Sequence, residues 1–415
     1  MDISAGARSL LAAARRGDVS CAEVAEQALA GLDRVVELNG LAFRDDDSVR
    51  ARAVALDAQR ARGHIGALHG LPVSVKDWIE TTPFPCAAGH PQFAERRPAR
   101  DATVVARLRA AGALIVATSA VGPASALHGR PRNPLDPTRT PGHSSAGEGV
   151  MLRCGVAAVG IGSDSGGSIR FPAHCCGLVG LRPTYGRVPV TGHFPRVGAL
   201  ADGRTVIGPL ARHVDDIRLV LPVIAGPDGH DPACPPVPIG TEPASVAGLR
   251  VAVHTHTSSG GLEPEVAAMV DRLAAVLSAA GCEVTHEPDV LRVERALDIT
   301  QRYWSRARLG AGEVEKLLAD WDRFRVESMR LLARYDAILS PTCPHPAPPL
   351  GVTDDSDWTY LLTASLCGWP AISVPAGSTN DGLPLGAQIV AGPWAEGTCL
   401  ALATVIEAAG TADYV

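Results

Sequence analysis

Two hydrophobic periodicities alternate along this chain, and together they predict an α/β protein. In the first third the helical period dominates. A Ser20–Glu23 capping box opens a helix to about residue 33, a second helix is predicted at 47–62, and Asp101 is predicted to cap a third at 101–108. Further along, short apolar runs typical of buried strands are separated by longer amphipathic segments. Because strands that alternate with helices form parallel or mixed sheets, we expect a sheet of that kind.

The apolar runs predict eight strands, at 71–76, 113–117, 157–162, 249–254, 282–286, 337–340, 371–375 and 386–390. Helices are predicted beyond residue 215 and at 263–280, 290–309, 312–334, 358–367 and 395–409. Glycine and proline dominate residues 122–149, which predicts a long ordered loop. The proline-rich stretch 227–243 is the best candidate for a linker.

The composition is that of a folded globular protein. Of 415 residues, 46% are apolar and 20% are charged, which is too apolar for a disordered chain. The net charge of −6 argues against a protein that coats nucleic acid or binds membranes through a polybasic surface. No apolar stretch approaches the ~18 residues of a transmembrane helix, and the first residues, with Asp2 and Arg8, do not resemble a signal peptide. We therefore expect a cytoplasmic protein.

The ten cysteines are scattered, and only Cys175 and Cys176 lie close together in the sequence. No C-x-x-C motif occurs, so neither a zinc ribbon nor a thioredoxin-type site is supported. Reduced, mostly buried thiols are expected instead. The 13 histidines show no metal-ligand spacing either, and the sequence requires neither a metal nor an organic cofactor.

Lysine usage singles out one position. The chain has only two lysines, Lys76 and Lys316, while its other 36 cationic side chains are arginine. Lys316 fits an exposed helix position, but Lys76 ends the apolar run 71–76. Arginine stays protonated in proteins, whereas a desolvated lysine can lose its proton. Lys76 is therefore a candidate base; the alternative is a structural cation paired with a carboxylate such as Asp77.

Two loops rich in glycine and serine are the other candidate sites. They read Pro-Gly-His-Ser-Ser-Ala-Gly-Glu-Gly at 141–149 and Gly-Ser-Asp-Ser-Gly-Gly-Ser-Ile-Arg at 162–170. Such loops can be simple turns, but they also expose consecutive backbone N–H groups, which suit a bound anion or an oxyanion. The second loop lacks the lysine and the glycine spacing of nucleotide-binding loops, so nucleotide binding is not favoured.

Two common nucleophile motifs fit these loops poorly. Residues 163–167, Ser-Asp-Ser-Gly-Gly, are similar to the nucleophile loop of trypsin-like proteases, but that fold is all-β and its histidine and aspartate precede the serine. Residues 142–146, Gly-His-Ser-Ser-Ala, are similar to the G-x-S-x-G elbow of α/β-hydrolases. Proline-rich residues precede them where that elbow needs a strand.

In combination and in order, the three segments resemble the amidase signature family of serine hydrolases. Lys76 matches the lysine of the family's G-[IL]-P-x-x-[VL]-K-D motif. Residues 141–149 match P-G-G-S-S-G-G-[SE]-[GA], and 162–173 match G-[ST]-D-[TI]-G-G-S-I-R-x-P-[AS]. The match extends to three further segments, at 177–187, 368–377 and 382–390.

The resemblance implies a single α/β/α domain over residues 1–415, with a central mixed sheet covered by helices. The expected parts are a helical region at about 1–65, a catalytic core at about 66–225 and 335–415, and a variable segment at about 226–334. In this arrangement the proline-rich stretch becomes an internal loop rather than a boundary.

The resemblance also implies a Ser-Ser-Lys triad. Ser168 matches the nucleophile, Ser144 the bridging serine on a cis peptide bond, and Lys76 the base, which must be neutral at rest. The expected oxyanion hole consists of the backbone N–H groups of Ser165, Gly166, Gly167 and Ser168. Loop support is expected from Asp164, Arg170 and Ser145, with the first two forming a buried ion pair.

This chain departs from the family pattern at His143 and Ala146, which replace two glycines, and at Ser165, which replaces threonine or isoleucine. We expect these changes to affect the shape of the pocket more than the triad. His143 invites a Ser-His mechanism, but it is expected to fill space beside the site. The substrate pocket is expected to include His143, Phe194, Trp358 and Trp369, which favours an aryl or medium-sized acyl group.

The expected activity is hydrolysis of a linear carboxamide through an acyl-enzyme, acting on a small molecule, with a homodimer as one expected state. Neither nucleic acid nor a membrane is expected as a partner. Two alternatives use the same acyl-enzyme. One is the glutaminase-like subunit of a tRNA-dependent amidotransferase, and the other is a biosynthetic acyl transferase in which an amine replaces water.

Overall fold

The computed structural model describes residues 3–198, 202–255 and 261–410. These residues form twelve α-helices: α1 Ala7–Arg16, α2 Cys21–Glu37, α3 Asp46–Ala61, α4 Thr103–Ala110, α5 Ala146–Arg153, α6 Arg170–Cys176, α7 Val214–Ile224, α8 Pro264–Ala279, α9 Val293–Trp304, α10 Ala311–Leu332, α11 Leu362–Cys367 and α12 Glu396–Gly410. They also form eleven strands: β1 Leu41–Phe43, β2 Pro72–Lys76, β3 Leu114–Ser119, β4 Val159–Asp164, β5 Val179–Arg182, β6 Val206–Ala211, β7 Arg250–Val253, β8 Glu283–His286, β9 Ala337–Pro341, β10 Ala371–Ser378 and β11 Pro384–Ala391.

All eleven strands belong to one sheet, in the order β1-β3-β2-β4-β6-β5-β10-β11-β9-β7-β8. Strand β2 is parallel to both β3 and β4, and β7 is parallel to both β8 and β9. The other neighbours are antiparallel. The prediction of an α/β fold with a mixed sheet is therefore confirmed.

Apolar cores lie on both faces of the sheet. Successive residues of a strand point to opposite faces. Accordingly, Leu339 and Ile389 lie in the larger core, while their neighbours Ile338 and Val390 lie in a second core. Phe324 of α10 packs into this second core from the helical side. Burying each such side chain stabilises the fold by roughly 1.5–3 kcal/mol relative to leaving it exposed. Helices therefore cover both faces of the sheet, and the loops at the ends of its strands are the part that can form a functional site.

Three strands are missing from the sequence-based prediction, and each has a weak pattern. Strand β1 consists of three half-buried residues, too few to show an alternation. Strands β5 and β6 contain glycine, and β6 also contains Pro209. Both residue types weaken the strand signal, although β5 and β6 are fully buried in the centre of the sheet.

Two predicted boundaries are wrong for local reasons. The helix predicted at 101–108 begins at Thr103, because the Asp101 carboxylate accepts hydrogen bonds from the backbone N–H and the hydroxyl of Thr82, at 2.7 and 2.8 Å, instead of capping the helix. The long loop rich in glycine and proline ends earlier than predicted, because α5 already begins at Ala146.

Two helices of the C-terminal half are shorter than predicted. The helix predicted at 358–367 is reduced to α11, which follows a 3₁₀ turn at Thr359–Leu361. The segment predicted at 290–309 contains α9 and a 3₁₀ turn at Arg306–Arg308. Among the described residues, no helix combines the length and apolar character needed to cross a membrane.

The proline-rich stretch 227–243 is bound to the rest of the protein by arginines. Arg107 donates to the carbonyl oxygen of Pro227 at 2.8 Å. The buried Arg187 donates to the carbonyl oxygens of Val237 and Pro238, at 2.7 and 3.1 Å. These contacts hold the stretch against the body of the protein.

Candidate active site

Lys76 lies at the carboxyl end of β2, between the parallel strands β3 and β4. Loops that leave neighbouring parallel strands meet at this end of a sheet. The Lys76 side chain is fully buried, and its Nζ lies 2.6 Å from Ser144 Oγ and 3.1 Å from Ser163 Oγ. The same nitrogen lies 4.1 Å from the centre of the Trp78 ring. The buried Lys76 amine therefore contacts two hydroxyls and one aromatic ring.

The Lys76 amine is shifted toward its neutral form. Burial lowers the pKa of Lys76 to about 7, against the opposing charges of Asp164 and Glu148. Glu148 is also fully buried, and burial raises its pKa to about 7, although the hydroxyls of Ser74 and Ser119 donate to it. Near neutral pH, a substantial fraction of Lys76 can therefore accept a proton.

Asp77 does not neutralise Lys76. Its carboxylate accepts hydrogen bonds from the backbone N–H groups of Ala87, at 2.8 Å, and Gly89, at 3.0 Å. His128 Nε2 lies 3.6 Å from the same carboxylate. Among the described residues, no carboxylate forms an ion pair with the Lys76 amine within 4.0 Å, which argues against a purely structural cation.

Ser144 is held by an unusual backbone. The peptide bond between His143 and Ser144 is cis, as the family resemblance implies. The preceding Gly142 has φ +87°, and a Cβ at this position would lie 2.7 Å from the Cα of Pro172. Only glycine accommodates both this dihedral angle and this approach. The chain can therefore turn tightly here and present Ser144 to Lys76.

Ser145 joins the two loops to each other. Its backbone N–H donates to the carbonyl oxygen of Ser168 at 3.2 Å, and its hydroxyl donates to the carbonyl oxygen of Ser163 at 3.3 Å. The residue next to Ser144 thus contacts the backbone of the second loop at two points. This arrangement is consistent with the supporting position expected for Ser145.

Asp164 organises the second loop. It forms the expected buried pair with Arg170, at 3.0 Å, and a second pair with Arg182, at 3.1 Å. Its carboxylate also accepts from the backbone N–H groups of Gly167, at 2.8 Å, and Ile169, at 3.2 Å. Burial alone would raise the pKa of Asp164, but the two guanidinium groups outweigh it and hold the pKa well below the usual range. The loop is therefore built around a permanent carboxylate.

One expectation for the oxyanion hole is wrong. The N–H of Gly167 points at the Asp164 carboxylate and is not free to bind a substrate oxygen. Gly167 is required for another reason: its φ is +121°, and a Cβ would lie 2.3 Å from a methyl carbon of Leu361. The remaining candidate donors are the N–H groups of Ser165, Gly166 and Ser168.

Both predicted serines open onto one cavity of about 490 Å³. Its polar lining includes Ser144, the segment 165–168, Asp202, Arg204 and Thr205, and its apolar and aromatic lining includes Trp78, Phe171, Trp304, Trp358 and Leu361. The cavity lining therefore combines hydroxyl and backbone polar groups with a wall of aromatic side chains.

His143 belongs to this aromatic wall. Its ring contacts Phe171 and Trp358 edge-to-face, with centroid distances of 5.1 and 4.9 Å. Burial lowers the pKa of His143 to about 4, with an opposing contribution from Asp357. Within the described residues, His143 Nε2 has no hydrogen-bond partner. These contacts place a neutral imidazole in the pocket wall.

Two residues predicted for the pocket lie elsewhere. Phe194 lines a neighbouring cavity of about 810 Å³, where the Arg96 guanidinium stacks on its ring at 3.8 Å. Trp369 is 1% exposed and packs in the second core. Phe194 lies in the neighbouring cavity because the chain turns at 193–195. Trp369 is buried because it comes directly after the end of α11, where the chain enters the second core.

Sequence reasoning missed Ser163, Trp78 and Trp304 as residues of the site. Ser163 directly precedes Asp164, and Trp78 follows Lys76 by two residues, so both could have been proposed from their neighbours. Trp304 has no such signal, and His193 is expected from the sequence only as part of the pocket segment 191–195. His193 Nε2 lies 3.2 Å from Ser163 Oγ, and Trp304 lines the cavity from α9.

One group of described residues has the composition of a metal site. The ligand atoms of Cys343, His345 and Asp357 lie within 4.8 Å of one another. His345 Nε2 forms an ion pair with Asp357 at 3.3 Å. Burial lowers the pKa of His345, but its hydrogen bonds with Asp357 and Cys343 outweigh burial and raise it to about 11. His345 Nδ1 also lies 3.5 Å from Cys343 Sγ, so the three side chains contact one another through His345.

Fold and site together define an α/β protein in which Ser144 and Ser168 open onto one cavity and the buried Lys76 contacts Ser144. The model of the family described as Amidase matches residues 23–311 and 305–400, and the chain belongs to this family.

Three relatives are informative. AmiD of Mycobacterium tuberculosis, named as a candidate amidase, is 35% identical over 423 positions, with 91% of this chain and 88% of AmiD covered. One of the subunits of the glutamyl-tRNA(Gln) amidotransferase of Koribacter versatilis is 33% identical, with 89% of this chain and 91% of the relative covered. The X-ray structure of a peptide amidase from Stenotrophomonas maltophilia superposes with a TM-score of 0.79 at 26% identity, with 100% of this chain and 98% of that chain covered.

Asp164→Asn tests the role of the central carboxylate. The substitution keeps the shape but leaves the buried charges of Arg170 and Arg182 uncompensated, so the free energy of unfolding should fall by about 3–5 kcal/mol. Asp298→Asn is the matched control, because Asp298 forms an exposed pair with Arg302 worth at most about 1 kcal/mol. Urea unfolding measures both. Equal effects of the two substitutions would contradict the account.

Proposed function

We propose that this chain hydrolyses a linear carboxamide through an acyl-enzyme on Ser168, with Ser144 as the proton bridge and Lys76 as the base. The observation that carries the proposal is the buried Lys76 amine, 2.6 Å from Ser144 Oγ, behind a cavity that Ser144 and Ser168 share. A base whose pKa lies near 7 and that contacts a hydroxyl is what nucleophilic catalysis without histidine requires.

Acylation begins with attack of Ser168 Oγ on the amide carbon. As the C–O bond forms, the Ser168 proton passes to Ser144, whose own proton passes to Lys76. The carbonyl oxygen gains the negative charge. The N–H groups of Ser165, Gly166 and Ser168 are the donors proposed to stabilise it, and one such donor typically contributes about 3 kcal/mol in the transition state.

The proton then returns to the leaving group. Lys76, now an ammonium, gives its proton back through Ser144 to the amide nitrogen, the C–N bond breaks, and the amine or ammonia departs. Water attacks the Ser168 ester by the same route in reverse, and it releases the carboxylic acid and the free serine. Every proton taken by Lys76 is returned, so the enzyme is unchanged after each turnover.

The cavity wall favours an aryl or medium-sized acyl group. Phe171, Trp304, Trp358 and the neutral His143 present aromatic rings to this space. Rings of this kind bind apolar or planar groups better than a small dicarboxylate. A panel of primary amides and anilides, followed by release of ammonia or amine, identifies the substrate class.

The amidotransferase relatives favour one alternative, in which this chain releases ammonia from glutamine for a partner protein. The aromatic wall is a poor match for the polar side chain of glutamine. Co-purification of a partner, with glutamine as the preferred amide, would favour this alternative. Transfer to an amine other than water is distinguished by product analysis with competing amines.

Ser168→Ala tests the nucleophile. The variant should keep the wild-type unfolding profile but lose turnover and covalent labelling by a fluorophosphonate, because the attacking oxygen is gone. Ser278→Ala, at an exposed position of α8, should react like the wild type. Mass spectrometry locates the label, and a label on Ser144 or Ser165 would overturn the assignment.

Lys76→Arg tests the base. Activity of the wild type should fall as pH drops through about 7, because protonation removes the acceptor. The Arg variant should be inactive at every pH, since arginine stays protonated. Lys316→Arg, the same change at the exposed second lysine, is the matched control and should keep full activity. Near wild-type turnover of Lys76→Arg would show that Lys76 is only a structural cation.

A further inference from the structure

Resting on the proposed function, we propose that His193 is a positioning residue for the base: through Ser163 it turns the lone pair of Lys76 toward Ser144. His193 lies outside the segments that match the family motifs. Its side chain is buried between the active-site cavity and the neighbouring cavity, and it lines both. Among the described residues its ring hydrogen-bonds to Pro195 and Ser163, and no bond to Ser144 or Ser168 is found, so its effect must pass through another group.

The tautomer of His193 is determined by its first contact. Nδ1 lies 2.8 Å from the carbonyl oxygen of Pro195. A carbonyl oxygen only accepts hydrogen bonds, so Nδ1 carries the hydrogen. Burial lowers the pKa of His193 to about 4, which keeps the ring neutral near pH 7. Nε2 is therefore a bare acceptor.

This acceptor determines the direction of the Ser163 hydroxyl. His193 Nε2 lies 3.2 Å from Ser163 Oγ, and it can only receive a hydrogen there. Ser163 must donate its single O–H to the ring. Toward its remaining neighbours, Ser163 Oγ then offers lone pairs only.

The Ser163 lone pairs in turn orient Lys76. Lys76 Nζ lies 3.1 Å from Ser163 Oγ, and one of its N–H bonds must point there. A second N–H faces the ring of Trp78, whose centre is 4.1 Å from Nζ and whose π face carries negative potential. A neutral amine has two N–H bonds and one lone pair. The lone pair is left for Ser144 Oγ, at 2.6 Å, where a base needs it.

The chain of contacts also predicts what fails without His193. If Nε2 is absent, the Ser163 O–H loses its acceptor and can turn to the Lys76 lone pair. Ser163 then competes with Ser144 for the base. Removal of the Ser163 hydroxyl should abolish that competition, so the effects of the two residues must be strongly non-additive.

The test measures the rate at which a fluorophosphonate labels Ser168. This reaction requires the same proton transfer as amide hydrolysis, and it can be measured before the substrate is identified. In this reaction the Ser168 O–P bond forms, fluoride leaves, and the serine proton passes through Ser144 to Lys76. His193→Asn keeps a donor for Pro195 but has no acceptor that reaches Ser163. The maximal labelling rate should fall roughly 10–100-fold, which is less than the full contribution of a general base, about 10²–10⁴-fold, because the base is misdirected and not removed. The probe concentration for half-maximal rate should change less than twofold.

Two further variants separate positioning from structure. His193→Gln supplies an amide oxygen as acceptor and should recover much of the rate. The double variant Ser163→Ala/His193→Asn should label faster than His193→Asn alone, because the competing hydroxyl is gone. His230→Phe, an exposed histidine of the neighbouring cavity, is the control and should label like the wild type.

The outcomes distinguish this inference from the proposed function. If the wild type is not labelled at Ser168, the proposed function fails, and this inference with it. If Ser168 is labelled, an His193→Asn rate within twofold of the wild type, a loss confined to probe binding, or a double variant that labels no faster than His193→Asn overturns the role of His193 alone. Should His193→Asn not fold, the labelling rates of His193→Phe and of Ser163→Ala/His193→Phe are compared in its place.

Discussion

The site depends on one amine that has been removed from water. A lysine at the end of β2 is surrounded by hydroxyls, an aromatic ring and the sheet, and no carboxylate among the described residues forms an ion pair with it. Desolvation disfavours the ammonium, which brings the pKa of Lys76 to about 7. In water the same side chain would be protonated at every physiological pH and could not act as a base. The position of β2 between two parallel strands provides this environment.

The buried amine also makes stability depend on pH. The unfolded chain binds a proton at Lys76 up to about pH 10.4, whereas the folded chain binds it only below about pH 7. Below pH 7 the folded state therefore bears the full penalty of holding an ammonium without water. As pH rises between these values, the penalty declines and the free energy of unfolding increases. The fold must contain enough apolar burial elsewhere to tolerate this penalty.

Rigidity around the amine comes from the second loop. Asp164 pairs with two arginines and accepts two backbone N–H groups, so the loop that carries Ser168 is fixed at its base. Ser145 then links this loop to the one that carries Ser144. Pre-organisation of this kind keeps reacting atoms in register without further ordering during the reaction.

Much of this arrangement is readable from the sequence, for physical reasons. A single lysine in an apolar run of an arginine-rich chain indicates special chemistry, and glycines beside serines indicate loops that approach a ligand closely. The buried Asp164–Arg170 pair follows from the same loop. The strand order, however, depends on contacts between distant segments, and the glycine and proline of β6 conceal a central strand.

The errors within the site have a similar origin. Every residue except proline has a backbone N–H, so the residue types do not reveal that the N–H of Gly167 donates to the Asp164 carboxylate. His193 contacts Ser163 across thirty positions of sequence, and only the folded chain brings them together.

The ionisation state of Lys76 is the central claim, and the chain permits its direct measurement. With only two lysines, selective isotope labelling of lysine produces two side-chain NMR signals, and replacement of Lys316 by arginine leaves the signal of Lys76. The account predicts that this signal titrates with a midpoint near pH 7 in the folded protein. A Lys76 signal that remains that of an ammonium up to pH 10 would contradict the account.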